Sequence, residues 1–350
     1  MRTFMYTLTQ KIACFALFCY FREIRLHGIE KVPANKAVMF LANHQNALLD
    51  PLVIAAFTPF RSYFLTRADI FVNPFVKRIF KFLRMLPVYR IRDGRDTLAK
   101  NAVIFDECTQ LLQAGKTIFI FPEANHNIMR RVRPLSKGFT RIIFTALEKD
   151  PNLDVLLVPV GINYEKADGF PDRVAFYFDQ PLSSRDNYRP SEIAASVSGL
   201  KELVSNGLKR NTTHIEDLSK YEEIHNFLDS RGVDFQNPVN TNLLIKQYRV
   251  APLKQSRPKR STVQRILAAI FLTINAPIIF FWRWVLKPKI QEVEFISTFR
   301  FCYVSVVQPL FYLASWLFLS ALLGAIEATL VVFLHFAFNL FFVKISKAKL

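Results

Sequence analysis

The stretch that decides the fold is AVMFLANHQNALLDP at residues 37–51, an apolar run followed by a polar loop. Two later runs, TIFIF at 117–121 and VLLVPV at 155–160, have similar length and composition. Uninterrupted apolar runs of this length are typical of strands buried on both faces of a parallel sheet. Helical patterns lie around and between them, at 51–57, 74–83, 97–113 and 139–149. This alternation predicts an α/β fold, with a mostly parallel sheet flanked by helices.

The composition of the chain favours a membrane protein over a nucleic-acid binder. The 350 residues include 46 Lys and Arg against 28 Asp and Glu, a formal net charge of +18, yet 51% of them are hydrophobic. A disordered basic protein would have few aromatic residues, whereas here 14% are aromatic. Strong positive charge on an apolar chain suits the surface of an anionic membrane. We therefore expect an anionic membrane as a partner, and no nucleic acid.

Glycine and cysteine are both scarce, which argues against two common kinds of site. The chain has 10 glycines and contains neither G-x-x-x-x-G-K-[ST] nor G-x-G-x-x-G, so a glycine-rich nucleotide loop is not expected. Its four cysteines include no C-x-x-C pair. A zinc site or a disulfide framework is therefore not expected either.

The N-terminus predicts a helix that lies on the membrane. The run 12–21 has no charge and leads directly into Arg22 and Glu23. Ten residues cannot span a bilayer core, which needs about 20 in a helix. No A-x-A-like cleavage site follows the run, which disfavours a signal peptide. An in-plane or shallowly inserted helix fits best.

The last part of the chain predicts further membrane-associated helices. The run 266–282 is uncharged but contains Asn275 and Pro277, while 301–343 contains a single charge, Glu327. One helix over 301–343 would be about 65 Å long, twice the thickness of a bilayer core. We therefore predict a hydrophobic helical hairpin that breaks at Gly324.

Basic clusters precede and follow 266–282 and also close the chain. Such clusters favour the cytoplasmic side of a membrane. All three share one side only if 266–282 is re-entrant or in-plane, and this topology places the α/β domain on the cytoplasmic side.

Four segments follow from these patterns. They are an N-terminal membrane helix (1–22), an α/β domain (23–190), a polar helical extension with a basic linker (191–260) and a C-terminal membrane-associated helical region (261–350).

Polar residues follow the predicted strands at positions where α/β proteins place their active sites. Asn43 and His44 come directly after the first apolar run, and Asp50 follows them closely. A histidine with a nearby carboxylate can act as an oriented general base. No serine or cysteine stands in a nucleophile-elbow sequence, so direct transfer without an acyl-enzyme fits better.

Two further sequence segments contain residues that could bind an anion or form hydrogen bonds. Arg90 follows the short apolar run 86–88, and a guanidinium binds phosphate through paired donors. Pro122, Glu123 and Asn125 follow the run 117–121. Glu123 would hold Arg90 in place or accept a hydrogen bond from an acceptor hydroxyl.

Together and in this order, the strings resemble the glycerolipid acyltransferase family, which includes the lysophosphatidate and glycerol-3-phosphate acyltransferases. The family blocks N-H-x4-D, G-x-x-x-x-R, F-P-E-G and V-P-[VI] correspond to Asn43-His44 with Asp50, to Arg90, to Phe121-Pro122-Glu123 and to Val158-Pro159-Val160. Arg67-Ala68-Asp69-Ile70-Phe71 resembles the family's K-x-E-L-F segment. The sequence around His44 and Arg90 is also similar to the sequences of a bacterial branch near fungal-type glycerol-3-phosphate/dihydroxyacetone-phosphate acyltransferases.

The resemblance implies a role for each residue. His44 would be the general base on the acceptor hydroxyl, and Asp50 would orient its imidazole. Arg90, helped by Arg67, would bind the phosphate of a glycerol-phosphate acceptor. Asn43, Pro122, Glu123 and Asn125 would shape that site. The donor would be acyl-ACP or acyl-CoA as co-substrate, with no metal and no other cofactor.

The chain departs from the family pattern at three points. Five residues separate His44 from Asp50, where the family has four, and one extra residue turns a helix by about 100°. The glycine of the second block is replaced by Arg84, which stands one residue further from Arg90 than the four-residue spacing of that block, and the glycine of F-P-E-G is replaced by Ala124. Two alternatives therefore stay open: an acyltransferase for another lipid acceptor, such as an amino-acid lipid, and a catalytically inactive membrane scaffold.

Overall fold

The fold is described by a computed structural model that covers residues 2–89, 99–248 and 261–346. The strands are β1 (Glu23–His27), β2 (Val38–Ala42), β3 (Tyr63–Arg67), β4 (Met85–Val88), β5 (Thr117–Ile120), β6 (Leu156–Tyr164), β7 (Arg173–Phe178) and β8 (Leu182–Ser183). The α-helices are α1 (Arg2–Tyr20), α2 (Leu49–Phe57), α3 (Pro74–Phe82), α4 (Lys100–Gln113), α5 (Gly138–Lys149), α6 (Ile193–Asn211), α7 (Tyr221–Ser230), α8 (Pro238–Lys246), α9 (Thr262–Ile274), α10 (Ala276–Phe281), α11 (Ile296–Leu323) and α12 (Ala325–Ile345).

The strands form one mostly parallel sheet, which confirms the predicted fold class. Its order is β1-β7-β6-β2-β5-β3-β4, with β8 also paired to β6. Strand β2 lies near the centre, where Phe40 pairs with Phe119 of β5 on one side and Val158 of β6 on the other. Among the described strands, only the pairings of β6 with β7 and with β8 are antiparallel. The carboxyl ends of β2, β3, β4, β5 and β6 therefore meet at one edge of the sheet.

Helices cover both faces of the sheet, because successive side chains of a strand point to opposite sides. On β2, Val38 and Phe40 belong to a core shared with α1 and α2. Met39 and Leu41 belong to a second core, shared with α4, α5 and α6. All five residues of β2 are buried, as the continuous apolar run predicted.

Helix α6 is closely fitted to the sheet although it begins beyond the predicted boundary at residue 190. Leu200, Val204 and Leu208 are fully buried in the second core. The end of α6 lies directly against β6, so a Cβ added at Gly161 would lie 1.9 Å from the Asn211 carbonyl oxygen. The absence of a side chain at residue 161 therefore permits this close approach.

The C-terminal helices form the predicted hairpin. Helix α11 ends at Leu323 and α12 begins at Ala325, with Gly324 at a φ of 101° between them. The two helices are joined by hydrogen bonds from Trp316 Nε1 to Thr329 Oγ1 (3.0 Å) and from Asn339 Nδ2 to the Tyr312 hydroxyl (2.8 Å). Both are long and apolar enough to cross a membrane.

The predicted interruption of the run 266–282 is also present. Helix α9 and the helical segment 276–289 are bent by 85° at Asn275. The side chain of Asn275 is buried and bonds to Asn339 of α12 (2.8 Å). If the bent pair is counted as a single span, the described residues contain up to three membrane-spanning segments.

Candidate active site

His44 and Asp50 form a hydrogen-bonded pair at the carboxyl end of β2. The His44 Nδ1 atom lies 2.7 Å from Asp50 Oδ2. The backbone N–H groups of Gln45 and Asn46 both donate to the same oxygen, each at 2.9 Å. The loop thus wraps around the carboxylate before α2 begins at Leu49. This local turn accommodates the extra residue between His44 and Asp50.

The Asp50 carboxylate is completely buried and held on both oxygens. Its Oδ1 accepts a hydrogen bond from the Tyr164 hydroxyl at 2.7 Å. Tyr164 is the last residue of β6, so the central strands position both partners. Burial, together with the negative charge of Asp50, raises the pKa of Tyr164 well above its ordinary value. The phenol therefore remains a donor, and the carboxylate cannot turn away from His44.

The His44 ring is fixed in orientation and reaches a cavity with one nitrogen. Phe121 stacks on it at a centroid distance of 3.8 Å and an interplanar angle of 14°. His126 packs edge-on against it at 5.7 Å. With Nδ1–H donating to Asp50, Nε2 is the nitrogen that carries the free lone pair. Within the described part of the chain, Nε2 has no hydrogen-bond partner. It is thus available as a proton acceptor.

The cavity beside His44 has an apolar wall and a cationic rim. Its volume is about 1270 Å³, which includes space open to solvent. Leu65, Met85 and Phe121 contribute apolar surface. Arg67, the last residue of β3, supplies a cation at the same edge of the sheet and is paired with Asp69. Such a cavity can hold an acyl chain along its wall and an anion at its rim.

The remaining predicted site residues do not all lie at the cavity beside His44. Asn125 lines the cavity with His44. Asn43 instead faces away, and its amide bonds both backbone groups of Ile162, at 2.7 Å and 3.0 Å. The Pro122 carbonyl accepts from the Ser136 backbone (2.7 Å). The contacts of Asn43 and Pro122 therefore hold the strand ends in place. Arg90 lies outside the described residues.

Glu123 differs from the expectation. Both its oxygens bond Arg133: Oε1 accepts from the backbone N–H at 2.8 Å, and Oε2 from the guanidinium at 2.8 and 3.2 Å. The side chain is 2% exposed. Burial raises the pKa of Glu123, and Arg133 opposes the shift. The prediction that Glu123 holds Arg90 or an acceptor hydroxyl overlooked Arg133, ten residues later, which folds back over the carboxylate.

The segment before α11 contributes residues that the sequence did not point to. Phe295 lines the cavity and packs edge-on to His126 at 4.8 Å. His126 Nε2 lies 2.7 Å from Glu292 Oε2. These contacts join parts of the chain more than 160 residues apart. No local motif marks them, although His126 stands next to the F-P-E block.

In the part of the chain that the structure describes, one group of ligand-type side chains is close enough to hold a cation. Atoms of His126, Glu292 and Glu294 lie within 4.8 Å of one another. Each already has a protein partner, because His126 bonds Glu292 and Glu294 accepts from the Ile128 backbone at 3.4 Å. The absence of a metal from the reaction stays a prediction.

The two positions that replace family glycines share a backbone conformation. Among the described residues other than glycine, Arg84 and Ala124 are the two with a positive φ, 60° in each case. This left-handed region is one that glycine enters freely and other residues enter at a cost of about 1–2 kcal/mol. Both turns therefore have a backbone conformation that suits glycine, with another residue in its place.

Residues 23–163 match the family model described as Acyltransferase. They form an acyltransferase-family domain. This domain holds the His44–Asp50 pair, Arg67 and the Glu123 loop. The resemblance seen in the sequence is thereby confirmed.

Three curated relatives resemble part of the acyltransferase domain. A chloroplastic 1-acyl-sn-glycerol-3-phosphate acyltransferase of Arabidopsis thaliana is 26% identical over 121 residues. Glycerol-3-phosphate O-acyltransferase 1 of Saccharomyces cerevisiae is 24% identical over 122 residues, and an uncharacterized acyltransferase of Schizosaccharomyces pombe is 24% identical over 118. Each match covers about a third of this chain (33–34%), and it covers 32%, 16% and 18% of the respective relative.

A solved structure is also similar to this chain. The crystal structure of the 1-acyl-sn-glycerophosphate (LPA) acyltransferase PlsC from Thermotoga maritima aligns with a TM-score of 0.43 and 20% sequence identity. The alignment covers 59% of this chain and 79% of that one.

Proposed function

We propose that the protein is a membrane-bound O-acyltransferase of phospholipid biosynthesis, with glycerol 3-phosphate or 1-acylglycerol 3-phosphate as acceptor and acyl-ACP or acyl-CoA as donor. The observation that carries the proposal is the His44–Asp50 pair, with Nε2 of His44 reaching a cavity whose rim holds Arg67. The names of the relatives support acceptors of this class.

The residues divide the reaction between them. His44 Nε2 takes the proton of the acceptor hydroxyl as the oxygen attacks the thioester carbonyl carbon. A C–O bond forms, the C–S bond breaks, and the thiolate leaves with the electron pair of that bond. The proton on His44 then passes to the thiolate, which regenerates the base. Asp50 stabilises the imidazolium between these steps, and no acyl-enzyme forms.

We expect Arg67 and Arg90 to bind the acceptor phosphate. Arg67 lies at the end of β3, and Arg90 follows the end of β4 by two positions in the sequence. An arginine can bind two phosphate oxygens through parallel donors. The Nε and Nη2 atoms of Arg67 donate to the Asp69 carboxylate, which holds the guanidinium at the end of β3.

Membrane attachment follows from exposed apolar surface at both ends of the chain. Helices α11 and α12 are long enough to span a bilayer. Helix α1 leaves Phe4, Ile12 and Phe15 each more than half exposed. Exposed apolar surface of this extent on one helix favours contact with lipid.

The acyltransferase domain then faces the cytoplasm, on the side of the basic clusters. The 85° bend at Asn275 supports a run that turns back instead of crossing. A cysteine placed at the exposed Lys289, in a chain without other cysteines, tests this topology. A membrane-impermeant reagent is expected to label it only after cells are opened. Labelling of intact cells would contradict the topology.

The enzymatic proposal is tested with radiolabelled glycerol 3-phosphate and lysophosphatidate, each combined with acyl-ACP and acyl-CoA. Wild-type protein is expected to acylate one acceptor, and His44→Ala to be about 10²–10⁴-fold slower, since it lacks the general base. His27→Ala is the matched control, because His27 is an exposed histidine of β1 that stacks on Tyr177. The proposal fails if wild type acylates neither acceptor, or if His44→Ala is as active as His27→Ala.

A further inference from the structure

A second cavity lies among the C-terminal helices and shares no lining residue with the cavity at His44. It has a volume of about 110 Å³ and opens into a region of about 710 Å³ that includes solvent. Phe271, Ile278 and Val304 contribute apolar side chains to its wall. Three cations, Arg283, Lys287 and Arg300, line the same space. An apolar wall beside clustered cations suits a ligand that is both apolar and anionic.

Arg300 is the unusual member of this group, because it is a buried cation without a carboxylate partner. It is 9% exposed. Its Nε donates to the Tyr20 hydroxyl (2.9 Å), and Nη2 donates to the carbonyl oxygens of Asp168 (3.1 Å) and Gly169 and to Ser297 Oγ (2.8 Å). Within the described ranges, no carboxylate lies within ion-pair distance of it, and its Nη1 has no hydrogen-bond partner.

Such a guanidinium is costly unless an anion completes its surroundings. Burial of a charge without a counter-ion is strongly unfavourable. The rings of Phe170, Tyr20 and Trp282 lie 5.5–6.0 Å from the Arg300 guanidinium carbon and also hold it in place. The cavity is the side from which an anion can reach it.

We propose that this cavity binds one anionic phospholipid, with its phosphate held by Arg300, Arg283 and Lys287 and its acyl chains lying along the apolar wall. A soluble phosphate would use the cations but leave the wall empty. A zwitterionic lipid would bring a positive group among three cations. The proposal relies on the membrane location in the proposed function and is independent of acyl transfer.

The test uses the full chain in a nonionic detergent, without acyl donor or acceptor. The chain has three tryptophans, and Trp284→Phe with Trp316→Phe leaves only Trp282, which lines the cavity. Quenching of Trp282 by phosphatidylglycerol with brominated acyl chains reports occupancy. Unlabelled phosphatidylglycerol is expected to reverse the quenching, while phosphatidylcholine, glycerol 3-phosphate and inorganic phosphate are not. Reversal by phosphatidylcholine to the same extent, or by inorganic phosphate alone, would overturn the proposal.

Charge variants supply a matched control. Arg283 and Lys287 are exposed at the cavity, so Arg283→Gln with Lys287→Gln leaves the buried contacts of Arg300 intact. This pair is expected to weaken lipid binding about 25-fold, since each cation near a lipid headgroup contributes about fivefold, or ~1 kcal/mol. Lys289→Gln removes an exposed charge from the same turn outside the cavity, and binding is expected to change by less than about twofold. If Lys289→Gln weakens binding equally, the binding reflects general surface charge, and the proposed site is overturned.

A filling variant tests the apolar wall. Val304→Phe places a larger side chain inside the cavity, whereas Val306→Phe does so on the exposed side of the same helix. The first is expected to weaken binding of the brominated lipid about 10-fold, and the second to leave it unchanged. If both variants bind as wild type does, the acyl chains do not occupy this space. Failure of acyl transfer in a separate assay changes none of these results.

Discussion

Replacing Asp50 with asparagine removes one negative charge while preserving the shape of the loop around it. The oxygen that accepts from His44 (2.7 Å) also accepts from the backbone of Gln45 and Asn46 (2.9 Å each). An amide oxygen at the same place can accept all three bonds. The amide NH₂ group then faces the Tyr164 hydroxyl oxygen, which can accept from it. His44 keeps its tautomer, so the variant isolates the effect of the charge.

In the proposed mechanism His44 gains a positive charge in the transition state, and the expected loss of rate follows from that charge. Two unit charges about 4 Å apart interact by roughly 4 kcal/mol at an effective dielectric constant of about 20. If the proton is half transferred in the transition state, Asp50 stabilises that state by about half of this energy. The kcat of Asp50→Asn should therefore fall by about 30-fold to 10³-fold. This is less than the roughly 10⁴-fold loss caused by an amide that inverts the histidine tautomer.

The assay measures the initial rate of thiol release from an acyl thioester at saturating acceptor, for Asp50→Asn, His44→Ala and the double variant. Because Asp50 acts through His44, the double variant should be no slower than His44→Ala alone. Thermal unfolding in detergent verifies that all three are folded. The reasoning is refuted if Asp50→Asn keeps more than about a third of the wild-type kcat, or if the double variant is about 10-fold slower than His44→Ala.

Three further changes test the surroundings of the site. Tyr164→Phe removes a buried donor to Asp50 and should lower the free energy of unfolding by about 1–3 kcal/mol. In steady-state kinetics it should lower kcat and change KM less. A change in KM alone would contradict this positioning role. Burial raises the pKa of Asp172 to about 8 from an unfolded value near 3.9, so the folded state binds the proton more tightly and stability is lost as pH rises from about 4 to 8. Asp172→Asn should therefore be more stable than wild type at pH 8 and gain little at pH 4, and a pH-independent difference would contradict the burial argument. Ala124→Val should lower stability by about 1–2 kcal/mol because a branched side chain resists a φ of 60°, whereas Ala124→Gly should not; equal unfolding midpoints would show that the turn is unstrained.

The central strands were predictable because a strand that is buried on both faces has a continuous apolar sequence. All five residues of β2 are buried, and 37–42 contains no polar residue. The strands at and near the edges of the sheet were not predicted, because they lack such an apolar run. Strand β1 is EIRLH and β3 is YFLTR, each with polar residues that reach solvent. A short mixed strand carries no pattern that distinguishes it from a loop, and only pairing with a neighbour makes it a strand.

The candidate site was predictable where its residues are neighbours in the sequence. His44 and Asp50 lie in one loop, so their contact follows from local backbone geometry. The partner of Glu123 was not foreseen, because Arg133 and Arg90 are equally plausible cations until the chain is folded. Tyr164 was missed for a similar reason. It belongs to a strand whose register places its hydroxyl on a carboxylate 114 residues away.

The segment that begins the C-terminal helical hairpin is also part of the wall of the candidate active site. Phe295 lines the cavity at His44, and Thr298 Oγ1 accepts from the Leu48 backbone at 3.2 Å and donates to Asn46 Oδ1 at 3.4 Å. Both partners of Thr298 lie in the loop that joins His44 to Asp50. Two residues further on, Arg300 lines the cavity proposed for an anionic lipid. The first turns of α11 therefore contact both the loop of the proposed general base, through Thr298, and the cavity proposed for an anionic lipid, through Arg300.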